Sequence, residues 1–334
     1  MPRIDYAVRP AKTIERKMLA EALSRISKLE RPERYRYVGF GALQFRDFAL
    51  FHRTLGIEDM FSIEHNVEED TRFEFNRPFA CVKMCFGESR TELPKIPLDE
   101  KKDIIWLDYE KKLTKNILAD LEYVCSECTP GSVVIVTVNA QAGNFQEEDD
   151  DSGDDEEDEV PNEPARRRPT KFDPLEELEK QLPGRIPAGT QASQLTGWGT
   201  AKLFRTIIEN QIQETITARN GALNEADKIS YRPLFDFHYS DGAKMLTTGG
   251  VLYAGQQAQA VKDCAFEDLA YCNPANHPYS ISAPNLTYKE RRHLDPQLPE
   301  HDLNILDTQG IPKKDVQNYG KLYRYFPHFS EVDI

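Results

Sequence analysis

The 334-residue sequence predicts an α/β protein with a doubly wound, mostly parallel sheet. Five short runs rich in apolar and β-branched residues fall in the first 140 positions, and helix-like segments of three-to-four spacing separate them. Parallel neighbours need long crossovers, and helices of this length supply them. A hairpin-like stretch then follows near residue 240.

In order, Ala11 to Lys28 places Ile14, Met18, Leu19, Ala22, Leu23 and Ile26 on one face, a helix with a basic outer side. The strand-like runs are Tyr35 to Gly39, Met60 to Ile63, Cys81 to Cys85, Ile104 to Leu107 and Ser132 to Val138. Asp47 to Leu55 and Leu113 to Cys125 read as helices, with a short connection at Glu68 to Phe75. Helical patterns resume at Pro174 to Gln181 and Thr200 to Ala218. Leu234 to Ser240, Asp241-Gly242, Ala243 to Met245 and Val251 to Tyr253 read as a hairpin, in which Asp241 is either a residue over the ligand crevice or, the favoured reading, an ordinary Asp-Gly turn residue. The last 60 residues, rich in proline and tyrosine, read as irregular structure wrapping the sheet.

Apolar residues make up 39% of the chain and aromatics 10%, enough to bury a core. The formal charge of -14 is concentrated: 11 of the 13 residues from Glu147 to Glu159 are acidic, and outside them the charge falls to -3. The acidic run predicts a disordered surface insertion over 146–170. A nearly neutral body argues against nucleic acid as a partner, since basic clusters occur only at Lys12 to Lys17, Arg166 to Arg168 and Lys289 to Arg292. No apolar run is long enough for a membrane span, and Met1 to Asp5 lacks the apolar core of a secretory signal. Six cysteines without export read as reduced thiols, so the expected location is cytoplasmic. Cys125-x-x-Cys128 has no second pair at metal spacing, and no metal site is assigned.

Ligands of open α/β sheets bind at the carboxyl ends of strands. Strand one closes with Gly39-Phe40-Gly41, glycines that allow close backbone approach and positive φ. Strand two closes at Glu64, an acceptor for a ribose diol. Strand three closes with Gly87-Glu88-Ser89, where Glu88 can receive an exocyclic amine. Strand four closes with Asp108-Tyr109, and strand five with Asn139. One polar group stands at each successive strand end.

This series resembles the class I S-adenosylmethionine-dependent methyltransferases over residues 10–145 and 198–255. Arg9 to Lys17, Phe75-Asn-Arg-Pro-Phe79 and Tyr239 to Met245 further resemble bacterial proteins carrying a provisional O-methyltransferase label. The resemblance implies a Rossmann-like seven-stranded sheet ending in an antiparallel hairpin, an α/β domain over 1–278 and a C-terminal extension over 279–334 packed on it. It implies S-adenosyl-L-methionine as cofactor, held by Gly39, Gly41, Glu64, Gly87, Glu88, Ser89 and Asp108. The family's acid before the first glycine and its third glycine are replaced by Tyr37 and Leu43. Lys12 and Arg16 on the first helix, or Asp47, are the substitutes for holding the amino acid portion.

Asp108, Tyr109 and Asn139 take the catalytic places. Val138 stands where a magnesium-binding relative has an acid, so a Mg2+ site would be one carboxylate short and the reading goes against metal dependence. The expected reaction is methyl transfer to oxygen of a small molecule or nucleotide-like acceptor. The alternative is a catalytically silent subunit that binds cofactor or nucleotide, docks a protein partner through the acidic segment or C-terminal extension, and serves a bacterial multi-gene assembly such as phage defence. One scaffold serves both.

Overall fold

The computed structural model describes residues 9–141, 173–272 and 277–327, so the expected acidic insertion lies outside the described residues. Helix α1 (Pro10–Ser24) begins at a proline, whose fixed φ suits a first turn, and runs on into a 3-10 turn to Lys28. Strand β1 (Arg36–Gly39), helix α2 (Arg46–Leu55), strand β2 (Asp59–Glu64), helix α3 (Asp70–Asn76) and strand β3 (Val82–Phe86) follow. Gly56, at φ +70°, ends α2 in the left-handed cap that favours glycine. A short helix α4 (Ser89–Glu92) leads to strand β4 (Asp103–Lys112), helix α5 (Lys115–Glu127) and strand β5 (Val133–Asn139). Thr114 starts α5 by accepting the Ile117 N–H.

Beyond residue 172, α6 (Pro174–Gln181) and the long α7 (Gly199–Asn220) precede the hairpin of β6 (Ile229–Ser240) and β7 (Lys244–Ala254). The chain ends with α8 (Ala258–Asp263), strand β8 (Tyr279–Ile281), α9 (Tyr288–Leu294) and α10 (Lys313–Leu322).

The sheet order is β3-β2-β1-β4-β5-β7-β6-β8. β1 to β5 pair in parallel, and β7 runs antiparallel to both β5 and β6. The order reverses between β1 and β4, which opens the crevice at their carboxyl ends. Eight strands replace the expected seven, and the hairpin is not the sheet's edge. β8 adds in parallel to β6 by pairing Phe237, His238 and Tyr239 with Tyr279, Ser280 and Ile281. Three residues close to Pro278 and Pro284 are too few to show a strand period. The expected irregular C-terminal extension therefore supplies a strand and two helices.

Period-two alternation builds two cores, one on each face. Tyr37, Ile104, Trp106, Val133 and Ile135 meet α1, α2 and the C-terminal residues, while Val38, Ile105, Leu107, Val134 and Val136 meet α5 and α7. All six cysteines are unbridged; Cys81 and Cys85, at the β3 edge, are only half-buried because no strand covers their outer side. Among the described residues no helix is long and apolar enough to cross a membrane.

Candidate active site

At the end of β1 the backbone N–H of Gly41 donates to Ser62 Oγ at 3.0 Å and to Glu64 Oε1 at 2.8 Å, and Ser62 Oγ donates to the same Oε1 at 2.8 Å. The parallel pairing of β1 and β2 delivers these side chains beneath the turn. Burial pushes the Glu64 carboxyl up to about 7, the hydrogen bonds from Ser62 and Gly41 opposing it. The positive φ expected of the glycines falls instead on Ala42 and Phe45, at 45° and 44°. Gly39 and Gly41 are needed for space. A Cβ would stand 2.6 Å from the Tyr37 hydroxyl at the first and 2.3 Å from the Phe45 ring at the second. Two non-glycine residues in that region cost about 1–3 kcal/mol each, and the buried Phe45 ring anchors them.

Tyr37, in the place of the family's acid, is buried and donates its hydroxyl to Asp47 Oδ2 in the first turn of α2. An acid thus reaches the turn from the following helix instead of from the strand. Burial raises the Asp47 carboxyl, and the nearby Arg16 cation draws it back. Arg16 Nε is itself buried with no hydrogen-bond partner among the described residues.

After β3, Gly87 has φ +149°, and its N–H donates to the Glu64 carbonyl at 2.9 Å. Glu88 is exposed. Ser89 Oγ and the Tyr109 hydroxyl both donate to Asp120 Oδ2 on α5, the latter at 2.6 Å. Tyr109 also packs edge-on against Phe40, 5.0 Å between ring centres. Its phenol, buried beside Asp120, is pushed well above its ordinary range.

Alternation sends Asp108 to the opposite face from Tyr109, above Trp106. There Lys12 Nζ lies 2.7 Å from Asp108 Oδ1, 2.8 Å from Glu15 Oε2 and 3.2 Å from the Tyr239 hydroxyl. The ammonium also sits 4.4 Å from the Trp106 ring centre. Lys12 is 3% exposed and Glu15 0%, whereas the Asp108 side chain is 21% exposed and faces the crevice. Burial raises the Glu15 carboxyl, and Lys12 opposes the rise. Asn139 closes β5 with its side-chain oxygen accepting the Gln141 N–H at 2.8 Å.

The structure thus joins Gly41 to Glu64, Lys12 to Asp108, and Ser89 to Tyr109, while Glu88 and Asn139 stand apart. The structure adds Ser62, Asp120, Glu15 and Tyr239, which the sequence does not single out: Ser62 and Asp120 lie within a strand and a helix, and Glu15 and Tyr239 lie inside the segments Arg9 to Lys17 and Tyr239 to Met245 with no role assigned to them. Asp241 lies in the β6–β7 turn as the sequence predicts, and its carboxylate in addition accepts the N–H groups of Ala11 and Lys12 at 3.2 and 2.9 Å.

The donor set does not suit a divalent ion. Asp108 Oδ1 is taken by an ammonium, the fully buried Val138 adds no ligand, and no group of three potential metal ligands occurs among the described residues. It does suit a nucleoside carrying an amino acid: a carboxylate at β2, a guanidinium nitrogen lacking a partner, and the Asp108 carboxylate. A separate cavity of about 380 Å3 lies at the opposite, amino end of the strands, lined by Lys102, Pro130, Arg219, Leu223, Ile229 and Ala254 among others.

A family model described as "Putative O-methyltransferase" matches residues 4–334. Among solved structures the chain is similar to the O-methyltransferase TomG from Streptomyces achromogenes, in complex with SAM, at 13% identity over 70% of this chain and 78% of that one, TM-score 0.35. It is similar to cofactor-bound Rv0187 from MTB at 13% identity over 75% and 83%, TM-score 0.36. A complex of the Haloferax volcanii Trm112 methyltransferase activator with a methyltransferase matches at 17% identity over 39% of this chain, TM-score 0.29, and the match spans little more than half (56%) of that chain. No curated protein matches.

Proposed function

The chain belongs to the family described as "Putative O-methyltransferase", and from that membership we propose that it binds S-adenosyl-L-methionine along the carboxyl ends of β1 to β4 and methylates an oxygen of a small-molecule or nucleotide-like acceptor. The observation that carries this reading is the Gly41–Ser62–Glu64 knot, a buried carboxylate fixed under the first turn beside the point where strand order reverses.

In this reading Glu64 accepts the ribose hydroxyls, and Gly87, Glu88 and Ser89 border the adenine. Arg16 takes the carboxylate of the amino acid portion, since its guanidinium has a nitrogen to offer and Lys12 is already committed to two acids. Bound S-adenosylmethionine supplies a methyl group on a sulfonium, open to in-line displacement. Asp108, held at Oδ1 by Lys12, keeps Oδ2 for the proton of the acceptor hydroxyl. Asn139 retains its amide donor to orient that acceptor. Tyr109 acts through Asp120 as a positioning residue, holding Ser89 and hence the turn after β3.

A second reading, cofactor binding without turnover, draws on one observation: Asp108 and Tyr109 both already have partners within the fold. Calorimetric titration with S-adenosylhomocysteine tests the site. Glu64→Ala and Arg16→Ala should each weaken binding at least about tenfold, an effect of about 1.4 kcal/mol. Unchanged affinity in both variants would overturn the assignment. Methyl transfer to any acceptor by the wild type, lost in Asp108→Asn, would decide against the silent reading.

A further inference from the structure

Asp241, at the tip of the β6–β7 hairpin, joins that tip to the amino end of α1 in a way its turn position does not require. Its two carboxylate oxygens accept the N–H groups of Ala11 and Lys12 at 3.2 and 2.9 Å, and Arg9, the residue preceding the helix, supplies no side-chain cap. A carboxylate here satisfies two of the N–H groups that a helix start leaves open, and it complements the positive end of the helix dipole. The next side chain along is Lys12, whose backbone is thereby pinned at one end while its ammonium is pinned at the other. Glu15, one turn later on the same face, holds that ammonium from the helix side at 2.8 Å, and Tyr239 on β6 holds it at 3.2 Å. β6 and its hairpin therefore fix Lys12 twice, through Tyr239 and through Asp241.

We propose that Asp241 is a positioning residue for the β4 end of the site: by capping α1 it sets Lys12 Nζ on Asp108 Oδ1 and so turns Oδ2 toward the crevice. The inference rests on the function proposed above, because the purpose it assigns to Asp108 is contact with cofactor and acceptor. Its structural part is independent of that function, since every contact that holds Lys12 is made by residues of this chain.

Two measurements on the full chain separate the possibilities. Pulsed acylation with acetic anhydride, read by peptide mass spectrometry, reports access to the Lys12 amine. In the wild type Lys12 should label far more slowly than the exposed Lys83. Asp241→Ala should speed Lys12 labelling at least about tenfold and leave Lys83 unchanged. Asp241→Asn, which keeps an oxygen acceptor for one N–H, should restore most of the protection. Titration with S-adenosylmethionine should show the same ranking, with weakened affinity in Asp241→Ala and recovery in Asp241→Asn. A purely structural cap would lower the melting temperature of both variants while leaving Lys12 labelling and affinity at wild-type values, and that result would overturn the proposal. If the wild type bound no S-adenosylmethionine, the proposed function would fail, and the labelling ranking alone would still decide whether Asp241 positions Lys12.

Discussion

On the β1–β3 side of the crevice, Gly41, Ser62 and Glu64 meet across sequence separations of 2 to 23 residues. On the β4 side, Lys12 reaches Asp108, Tyr239 and Asp241 across 96 to 229. The first side is a product of neighbouring parallel strands, so any chain that forms β1 and β2 in register assembles it. The second needs a helix from the start of the chain and a hairpin from its last third to arrive together. The difference teaches that the two ends of one site differ in what they depend on: local register on one side, global closure of the fold on the other. It also separates two electrostatic strategies. Glu64 is buried with only hydrogen bonds and titrates near neutrality, whereas Asp108 is held by a cation and stays partly open to solvent.

Removing the cation should have the largest effect. Lys12→Ala leaves the buried Glu15 without its ion-pair partner and should cost about 3–5 kcal/mol in chemical denaturation. Lys12→Met combined with Glu15→Leu should recover most of that loss, because apolar replacements of buried ion pairs are tolerated. If the single variant were as stable as wild type, the hub would not hold α1.

Acidity should distinguish the local side. The Glu64 and Asp103 carboxyls are both raised by burial to about 7, from ordinary values of 4.5 and 3.8. Each binds its proton more tightly in the folded state, so its contribution is fully present below the unfolded value and is lost as pH rises through about 7. Glu64 alone should account for a change on the order of 3 kcal/mol between pH 4.5 and 8. The stability difference between wild type and Glu64→Gln, measured by urea unfolding across that range, should therefore shift against the wild type as pH rises. A difference independent of pH would refute the raised carboxyl.

Tyr37→Phe should cost about 1–3 kcal/mol, because the buried Asp47 oxygen loses its donor while the ring packing on Phe48 and Phe51 remains. Phe75→Ser, on an exposed face of α3 away from both sides, should stay within about 0.5 kcal/mol of wild type. A larger loss there would mean that this face is covered by contacts the described residues do not include.

The same contrast explains what could be read from the sequence. The five parallel strands, the helices α2 and α5 and the hairpin were legible because apolar runs and three-to-four spacing record burial on a regular element, whereas the expected connection at Glu68 to Phe75 contains the short helix α3, which buries only Phe73. Glu64 stands at the end of β2, where the sequence places it, whereas the strand predicted to close at Asp108 runs on to Lys112 and leaves Asp108 inside β4. Ser62 was not legible, since a serine inside a strand carries no signal until its neighbour's turn is placed above it. Glu15 has the pattern of any helix acid paired i,i+3 with a lysine, and its complete burial depends on Asp108 and Tyr239 arriving from elsewhere over that pair. The glycines of the first turn make room for Tyr37 and Phe45, while the left-handed backbone that the sequence predicts at them falls on Ala42 and Phe45. β8 escaped because three residues cannot display a period.

The most direct test of the cofactor site is amide hydrogen exchange of the full chain with and without S-adenosylmethionine. The account predicts slowed exchange in the segments 39–47, 62–66 and 86–92, with no change around the amino-end cavity at 129–131 and 254–257. Protection confined to that cavity, or none at saturating cofactor, would contradict it.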